Sequence, residues 1–148
     1  MANVIETEVV STVIKSSAQK FYNFFKFNIT DIVKILPAVF TGAQVVEGVQ
    51  GAAGCVILWS YILGGSTLSV KMKAEVVDDG EKSIKYVAVE GDVLEIYKSF
   101  GAKLDVNEGL AKLSIEYEKA TPIARSPDLY ASVAATVFTL LDDYLLIN

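Results

Sequence analysis

The sequence predicts an α+β fold in which a seven-stranded antiparallel sheet wraps around one long C-terminal helix, with two short helices beside it. Two patterns lead to this prediction. Strand-like runs separated by short turns fill the middle of the chain, and the last segment is an apolar helix that follows a clear start signal. The chain has 148 residues, 52% of them apolar, so residues 1–148 suffice for a single domain with a sizeable core.

The N-terminal part of the chain predicts one strand followed by two short helices. Residues 4–14 are rich in β-branched side chains and partly alternate, which is typical of a half-buried strand. Ser16 or Ser17 can cap a helix in which phenylalanines recur at helical spacing up to residue 28. A second helical segment over residues 30–36 ends at Pro37, because proline lacks an N–H and restricts the residue before it.

Strand patterns dominate the chain after Pro37. The runs are separated by short turns such as Gly64-Gly65 and Asp79-Gly80, and short turns join antiparallel neighbours. With the first strand they predict a seven-stranded meander, one face of which must be buried. The six runs cover about residues 39–47, 54–62, 67–77, 82–90, 94–106 and 110–119.

The C-terminal segment predicts the helix that covers this sheet. Ser126 offers a capping hydroxyl, Pro127 suits the first helical position, and the carboxylate of Asp128 faces the positive end of the helix dipole. Residues 129–141 carry no charge, so we expect the helix to run to about residue 147 and to be buried on most of its circumference. Asp142 and Asp143 interrupt the apolar stretch before the roughly 20 residues that a bilayer requires, which argues against membrane insertion.

Charged residues on the strands indicate which side chains face the helix. Lysines and acidic residues mark the solvent side of a strand, and the alternating positions then point inward. Strict alternation also places Lys98 inside, unless a bulge interrupts the strand or the lysine lies at a pocket mouth with its amine in water. The inward positions are predicted to be Val70, Met72, Ala74, Ile84, Tyr86, Ala88, Phe100, Ala102, Leu104, Leu113, Ile115 and Tyr117.

Small side chains in the C-terminal helix predict an internal hydrophobic cavity. A tightly filled core would place large side chains at these positions, so small ones leave space between helix and sheet. Ser132, Ala135 and Thr136 are predicted to line that space, together with Ala131 and Ala134. An apolar cavity with a few polar groups is the usual form of a small-molecule site.

Several function classes are disfavoured by composition. The formal net charge is −5 with no basic stripe, which argues against nucleic-acid binding. The chain has no histidine and a single cysteine, Cys55, so zinc sites, haem ligation, serine–histidine chemistry and an intramolecular disulfide are excluded, and we expect no metal and no cofactor. The N-terminus lacks the basic and apolar regions of a secretory signal, which predicts a cytoplasmic protein.

Three motifs follow one another along the chain. They are Glu47-Gly48 with Gly51, Gly54, Trp59 and Tyr61; Val89-Glu90-Gly91-Asp92 with Glu95 and Tyr97-Lys98-Ser99-Phe100; and Ser114-Ile115-Glu116-Tyr117-Glu118-Lys119. In this order they resemble the plant major latex proteins, a branch of the Bet v 1 or pathogenesis-related class 10 superfamily. The resemblance covers nearly the whole chain and implies the helix-grip fold with an internal hydrophobic cavity.

The resemblance also assigns the apolar strand over residues 54–62, where periodicity cannot choose a face. It implies that Ile57, Trp59 and Tyr61 point inward. Tyr61, Tyr86 and Tyr117 are then expected to converge on one interior, where each phenol is satisfied by backbone or water, or else orients a ligand.

The resemblance implies two functions, which the residues leave open. The first is a carrier or defence protein that binds a small hydrophobic plant metabolite of lipid, steroid or terpenoid type. The second is a cofactor-free enzyme that cyclises or isomerises a reactive monoterpenoid enol, received from a metabolic enzyme, with Tyr61, Tyr86, Tyr117 or Lys98 as candidate catalytic groups. A stress-induced protein with an incidental cavity is a third reading.

Two better-known functions of the superfamily match this sequence poorly. The pocket lysine of the norcoclaurine synthases falls at Ile84, and their tyrosine and glutamate fall near Val70 and Met72. The abscisic acid receptors rely on a histidine-containing loop, but the corresponding turn here is Glu90-Gly91-Asp92. Both activities are therefore disfavoured.

Overall fold

The computed structural model describes residues 4–148, and residues 1–3 of the predicted domain lie outside this range. A short 3-10 turn, Ile29–Asp31, precedes the second helix. The strands are β1 Glu6–Val13, β2 Phe40–Glu47, β3 Val56–Leu63, β4 Ser66–Asp78, β5 Ser83–Gly91, β6 Tyr97–Asn107 and β7 Leu110–Lys119; the helices are α1 Ala18–Phe27, α2 Ile32–Ile35, α3 Val93–Ile96 and α4 Asp128–Ile147.

The seven strands form one antiparallel sheet in the order β1-β7-β6-β5-β4-β3-β2. Consecutive hairpins join β2 through β7, so the predicted meander is correct for these six strands. β1 pairs with β7, from Glu6 opposite Tyr117 to Val13 opposite Leu110, instead of with β2. This difference arises because α1 and α2 separate β1 from β2 and carry the chain from one sheet edge to the other.

The start of β6 differs from the sequence prediction in two ways. Residues 93–96 form the helical turn α3, so the strand begins at Tyr97 and not near residue 94. Strand pairing then passes from Tyr97 opposite Lys119 to Ser99 opposite Glu118 and skips Lys98. Lys98 lies in this bulge and is exposed, whereas Tyr97 and Phe100 are buried. The bulge interpretation is therefore confirmed, and the inward placement of Lys98 by strict alternation is wrong.

Gly91 allows the chain to turn from β5 into α3. Its φ is 138°, a region that side-chain-bearing residues rarely adopt. A Cβ at this position would lie 2.5 Å from the carbonyl oxygen of Ser69 and 2.6 Å from the Cα of Val70. Asp92 completes the turn, because its Oδ2 accepts a hydrogen bond of 2.9 Å from the backbone N–H of Ser69.

The core lies between the inner face of the sheet and helices α1 and α4. Ser17 caps α1 by accepting a hydrogen bond from the N–H of Lys20, as the sequence predicted. Phe21 and Phe138 are almost fully buried, and their rings meet edge to face at 5.6 Å. Leu104 and Leu141 are also fully buried in this cluster, so α1, α4 and the sheet share one apolar interior.

Helix α4 buries one face and exposes the other, which corrects two sequence-based expectations. The buried residues are Ala134, Val137, Phe138, Leu141 and Asp142. The expectation of burial on most of the circumference is wrong, because the helix forms the outer layer of the domain. The helix begins at Asp128, with Pro127 just before it and no side-chain capping bond, so the predicted Ser126 cap does not form.

Within residues 4–148, α4 alone is long and apolar enough to cross a bilayer by length and composition. Its inner face packs on α1, α2, β1 and β7.

Asp142 joins α4 to the turn between β1 and α1. Its Oδ1 accepts hydrogen bonds from the Ser16 hydroxyl at 2.6 Å and the Ser16 N–H at 2.8 Å, and its Oδ2 accepts one of 2.9 Å from the N–H of Lys15. Burial raises the pKa of this carboxyl, but the Ser16 hydroxyl and the two backbone N–H groups more than offset the effect, so the net shift is downward. Asp142 is therefore a buried, ionised anchor that the sequence did not reveal.

Candidate ligand-binding site

The main cavity lies between the inner face of the sheet and the first half of α4. Its volume is about 180 Å³. Strands β2, β3, β4 and β6 form its walls, and α3 and α4 close it. The lining residues are Val39, Phe40, Trp59, Tyr61, Leu63, Val70, Met72, Val93, Phe100, Tyr130 and Val133.

Aromatic contacts hold the walls of this cavity. The rings of Phe40 and Trp59 meet edge to face at 5.5 Å. The ring of Tyr130, on α4, lies 5.0 Å from that of Phe100 and 5.9 Å from that of Tyr61. These contacts join β2 to β3 and join both β3 and β6 to α4, so the cavity wall is braced rather than loosely packed.

A pair of phenols lies beside the main cavity, whose exposed lining is apolar. The hydroxyl oxygens of Tyr61 and Tyr130 are 2.5 Å apart and share a hydrogen bond in which either can donate. Burial raises the pKa of both phenols, and the charge of Asp92 raises it further. At Tyr61 the hydrogen bond with Tyr130 acts in the opposite direction and lowers the pKa. Both phenols are therefore neutral near pH 7.

A second, smaller cavity of about 40 Å³ lies beside the main one. Trp59 and Met72 line both cavities and form the partition between them. The small cavity is enclosed by the loop between β2 and β3, by α1 and by strands β3 to β5. Its other lining residues are Phe25, Lys26, Ile29, Gln50, Gly51, Ala52, Cys55, Ile57, Ala74, Val77, Ile84 and Tyr86.

Two of the residues that line the small cavity each carry a buried polar atom that lacks a protein partner. Within residues 4–148, the buried side-chain nitrogen and oxygen atoms without a hydrogen bond are Gln50 Nε2 and Tyr86 Oη. Burial raises the pKa of Tyr86, and the nearby Tyr22 and Cys55 raise it further, so its phenol is neutral. Such orphaned buried groups are rare and costly in proteins, which marks this cavity as a place where polar contacts are incomplete.

A polar network closes the outer side of the small cavity. Lys26 Nζ contacts both carboxylate oxygens of Asp79 at 2.8 Å, and the Tyr22 hydroxyl donates to Asp79 Oδ1 at 2.6 Å. These bonds lower the pKa of Asp79, the contact with Lys26 being the largest cause. Lys26 is thus held by an ion pair at the rim of the cavity.

A surface depression adjoins the main cavity. Leu63 and Tyr130 line both spaces, and the depression runs between the β3–β4 turn, α3 and the start of α4. Apolar side chains at its edge are unusually exposed: Leu129 is 56% exposed and Ile96 is 47% exposed. This arrangement provides an apolar approach to the cavity.

Most residues predicted to face inward do so, but some line the main cavity, some line the small cavity and some pack in the core. Ser132 and Thr136 are exposed on the outer face of α4, so their predicted position in the cavity is wrong, and Ala135 is only half-buried. Ala88, Ile115 and Tyr117 are buried in the core and Ala102 packs against it, but they line neither cavity. The nine predicted residues that line one or both cavities are Ile57, Trp59, Tyr61, Val70, Met72, Ala74, Ile84, Tyr86 and Phe100.

The expectation that three tyrosines converge is wrong. Tyr61 faces the main cavity and Tyr86 the small one, with Trp59 and Met72 between them. Tyr117 packs edge to face on Tyr97 at 5.4 Å in the core. Tyr97 itself donates a hydrogen bond of 2.8 Å to the carbonyl oxygen of Arg125, and burial, followed by the nearby tyrosines and acidic groups, raises its pKa to about 12.

Sequence reasoning missed Tyr130 and Val133 on α4 and Gln50 in the β2–β3 loop. The helix contained a signal for Tyr130, because this residue continues the inward spacing of Ala134, Val137 and Leu141 back by one turn. No comparable signal marked Gln50, since its position depends on the fold of a glycine-rich loop. Among residues 4–148, no cluster of three or more histidine, cysteine, aspartate or glutamate side chains is placed to hold a metal ion.

The sheet, the covering helix and the enclosed apolar space together define a helix-grip domain with an internal cavity. The family profile described as the pathogenesis-related protein Bet v 1 family matches residues 2–148. The chain therefore belongs to the Bet v 1 family, and its relatives place it in the major latex protein branch, as the motifs indicated.

One relative is MLP-like protein 43 of Arabidopsis thaliana, which is 30% identical over 148 residues that cover 96% of this chain and 92% of the relative. Among solved structures, ginseng major latex-like protein 151 from Panax ginseng superposes with a TM-score of 0.91 at 27% identity, covering 95% of this chain and 97% of that one. A norcoclaurine synthase point mutant from Thalictrum flavum, solved with a transition-state analogue, has a TM-score of 0.73 at 17% identity, covering 97% and 99% of the two chains, and shares the fold.

Proposed function

We propose that this protein is a carrier for a compact hydrophobic molecule of about monoterpenoid size. The observation that carries the proposal is the main cavity of about 180 Å³ between sheet and helix. Its walls are aliphatic and aromatic, and the paired phenols of Tyr61 and Tyr130 lie beside it. Such a cavity suits a ligand that has an apolar body and at most a few polar atoms.

The volume favours small ligands over large ones. Sites for drug-sized molecules usually measure about 300–1,000 Å³, whereas an engineered protein cavity of about 150 Å³ accepts benzene. A cavity of about 180 Å³ therefore suits a molecule with one or two small rings, and a steroid would have to extend into the adjoining depression of about 590 Å³. The cavity volume therefore favours terpenoids among the lipid, steroid and terpenoid ligands that the sequence suggested.

Apolar burial is sufficient for useful affinity. At about 25 cal/mol per Å², burying roughly 300 Å² of ligand surface contributes about 7 kcal/mol before the entropy cost of immobilisation is subtracted. Dissociation constants in the micromolar range or weaker follow. We place the entrance at the depression between the β3–β4 turn and the start of α4, and we place the protein in the cytoplasm in a carrier or defence role.

Native mass spectrometry tests the carrier proposal. The purified protein is incubated with a panel of monoterpenoids and steroids, and bound compounds are released and identified. We expect several monoterpenoids to be retained and recovered unchanged, and steroids to be retained less. Retention of steroids alone, or of no compound, would contradict the proposal.

The Tyr61–Tyr130 pair favours one alternative function. It places two neutral phenols beside an apolar cavity, and a phenol that donates to a ligand oxygen would stabilise that oxygen as it acquires negative charge. An enzyme of this kind would hold a reactive monoterpenoid enol or dicarbonyl, supplied by a metabolic enzyme, in the conformation that cyclises. Lys98 has no part in this alternative, because it is exposed on the β6 bulge.

Replacing Tyr130 by phenylalanine separates the two functions. If the protein is an enzyme, we expect Tyr130→Phe to lower the rate of stereoselective cyclisation about 100-fold, because one hydrogen-bond donor to the developing charge is lost. Chiral gas chromatography of the products measures this rate. Tyr144→Phe is the matched control, since Tyr144 is exposed on the same helix and lines neither cavity. If adding the protein does not change the product composition, the enzyme alternative is rejected and the carrier proposal stands.

A further inference from the structure

We propose that the small cavity is a polar subsite in which Gln50 and Tyr86 together bind an acceptor oxygen of the ligand. The inference rests on the carrier function proposed above and specifies the chemistry of its ligand. It starts from two buried polar atoms without a protein partner, Gln50 Nε2 and Tyr86 Oη, which belong to two residues that line the same cavity.

The two groups come from separate parts of the fold. Gln50 belongs to the loop between β2 and β3, and Tyr86 to the centre of β5. Gly51, next to Gln50, has a φ of 99°, and a Cβ there would lie 2.8 Å from the ring of Phe27. The loop is therefore held close to α1, which fixes the Gln50 amide at the cavity wall.

The chemistry of the two groups selects an acceptor. An amide –NH₂ can only donate hydrogen bonds, and a phenol donates one. Because burial keeps the Tyr86 phenol neutral, its proton is present near pH 7. A carbonyl oxygen has two lone pairs and can accept from both groups, whereas an ammonium group can accept from neither.

The size of the subsite agrees with this assignment. About 40 Å³ accommodates a polar functional group but not a ring system. The partition formed by Trp59 and Met72 separates this space from the main cavity, and Met72 has a flexible side chain that can move aside. A ketone or aldehyde with its apolar body in the main cavity and its oxygen in the small one would satisfy both orphaned groups.

Lys26 does not compete for this oxygen. Its amine lies at the rim of the same cavity, but it contacts both carboxylate oxygens of Asp79 at 2.8 Å. The side chain also lies over the ring of Phe27 at 4.9 Å, which further fixes it. The hydrogen-bond donors that remain for the ligand are therefore the neutral Gln50 amide and Tyr86 phenol. A neutral carbonyl compound fits such donors better than a carboxylate does.

A matched pair of probes tests the inference. Menthone and p-menthane have the same carbon skeleton, but only menthone carries a carbonyl oxygen. Their affinities for the wild-type protein and for Tyr86→Phe, Gln50→Met and the double variant are measured by headspace gas chromatography. We expect each single substitution to weaken menthone binding about 5- to 10-fold, since one hydrogen bond is lost, while p-menthane binding stays the same or becomes tighter.

Tyr117→Phe is the matched control, because Tyr117 is a buried tyrosine that lines neither cavity. We expect it to leave the ratio of the two affinities unchanged. If Tyr86→Phe and Gln50→Met also leave this ratio unchanged, the subsite proposal is overturned, but the carrier proposal still stands. If the wild-type protein binds neither compound, the carrier of monoterpenoid-sized ligands is itself overturned, and the subsite with it.

Discussion

Replacing Asp142 by alanine is expected to lower the free energy of unfolding by about 2–4 kcal/mol. The carboxylate accepts hydrogen bonds from the Ser16 hydroxyl and from the backbone N–H groups of Ser16 and Lys15. Hydrogen bonds to a charged group are each worth about 1.5–3 kcal/mol, and donors left without an acceptor in a buried site add to the loss. Chemical denaturation followed by tryptophan fluorescence measures the change.

Asp143→Ala is the matched control for this experiment. Asp143 is the next residue on α4 and is exposed, so its replacement should change stability by no more than about 0.5 kcal/mol. Equal effects of the two substitutions would show that Asp142 is not an anchor and that the loss reflects helix charge alone.

The effect of Asp142→Ala should also depend on pH. The folded-state pKa of Asp142 lies below its ordinary value, so its stabilisation is present above the unfolded pKa of about 3.9 and is lost as the pH falls through the folded pKa. The difference in stability between wild type and variant should therefore be constant near neutral pH and shrink below about pH 4. A difference that grows in acid would contradict this assignment.

Filling the main cavity should have the largest effect on ligand binding. Val133 lines the cavity from α4, and a phenylalanine side chain at this position would project into the space proposed for the ligand. We expect Val133→Phe to weaken the binding of monoterpenoid-sized compounds about 10- to 100-fold, because changes of a few methylene groups in an apolar pocket have effects of this size. Displacement of a fluorescent apolar probe measures the affinity.

Thr136→Phe provides a control on the same helix. Thr136 is exposed, and its hydroxyl donates to the carbonyl oxygen of Ser132 within α4. The same aromatic side chain placed there adds apolar surface without entering the cavity, so affinity should not change. Unaltered binding in Val133→Phe, with the fold intact by circular dichroism, would show that ligands bind elsewhere.

The position of functional residues along α4 illustrates the limits of sequence reasoning. An apolar helix rich in alanine, serine and threonine predicted an inner wall lined by small residues. In the structure Ser132 and Thr136 face water, and the cavity is bounded by Tyr130 and Val133. A nearly uncharged helix gives almost no contrast between its faces, so the side that packs inward is decided by contacts with the sheet and α1.

The sequence by itself determined the antiparallel strands of the sheet, the covering helix and the inward side of most strands, because alternation and turn residues act locally. Its motifs also identified the family. The tertiary structure alone decided the division into two cavities, the pairing of Tyr61 with Tyr130, the orphaned Gln50 and Tyr86, and the burial of Asp142. These features join residues far apart in the chain, and periodicity within one strand or helix contains no information about which distant side chains meet.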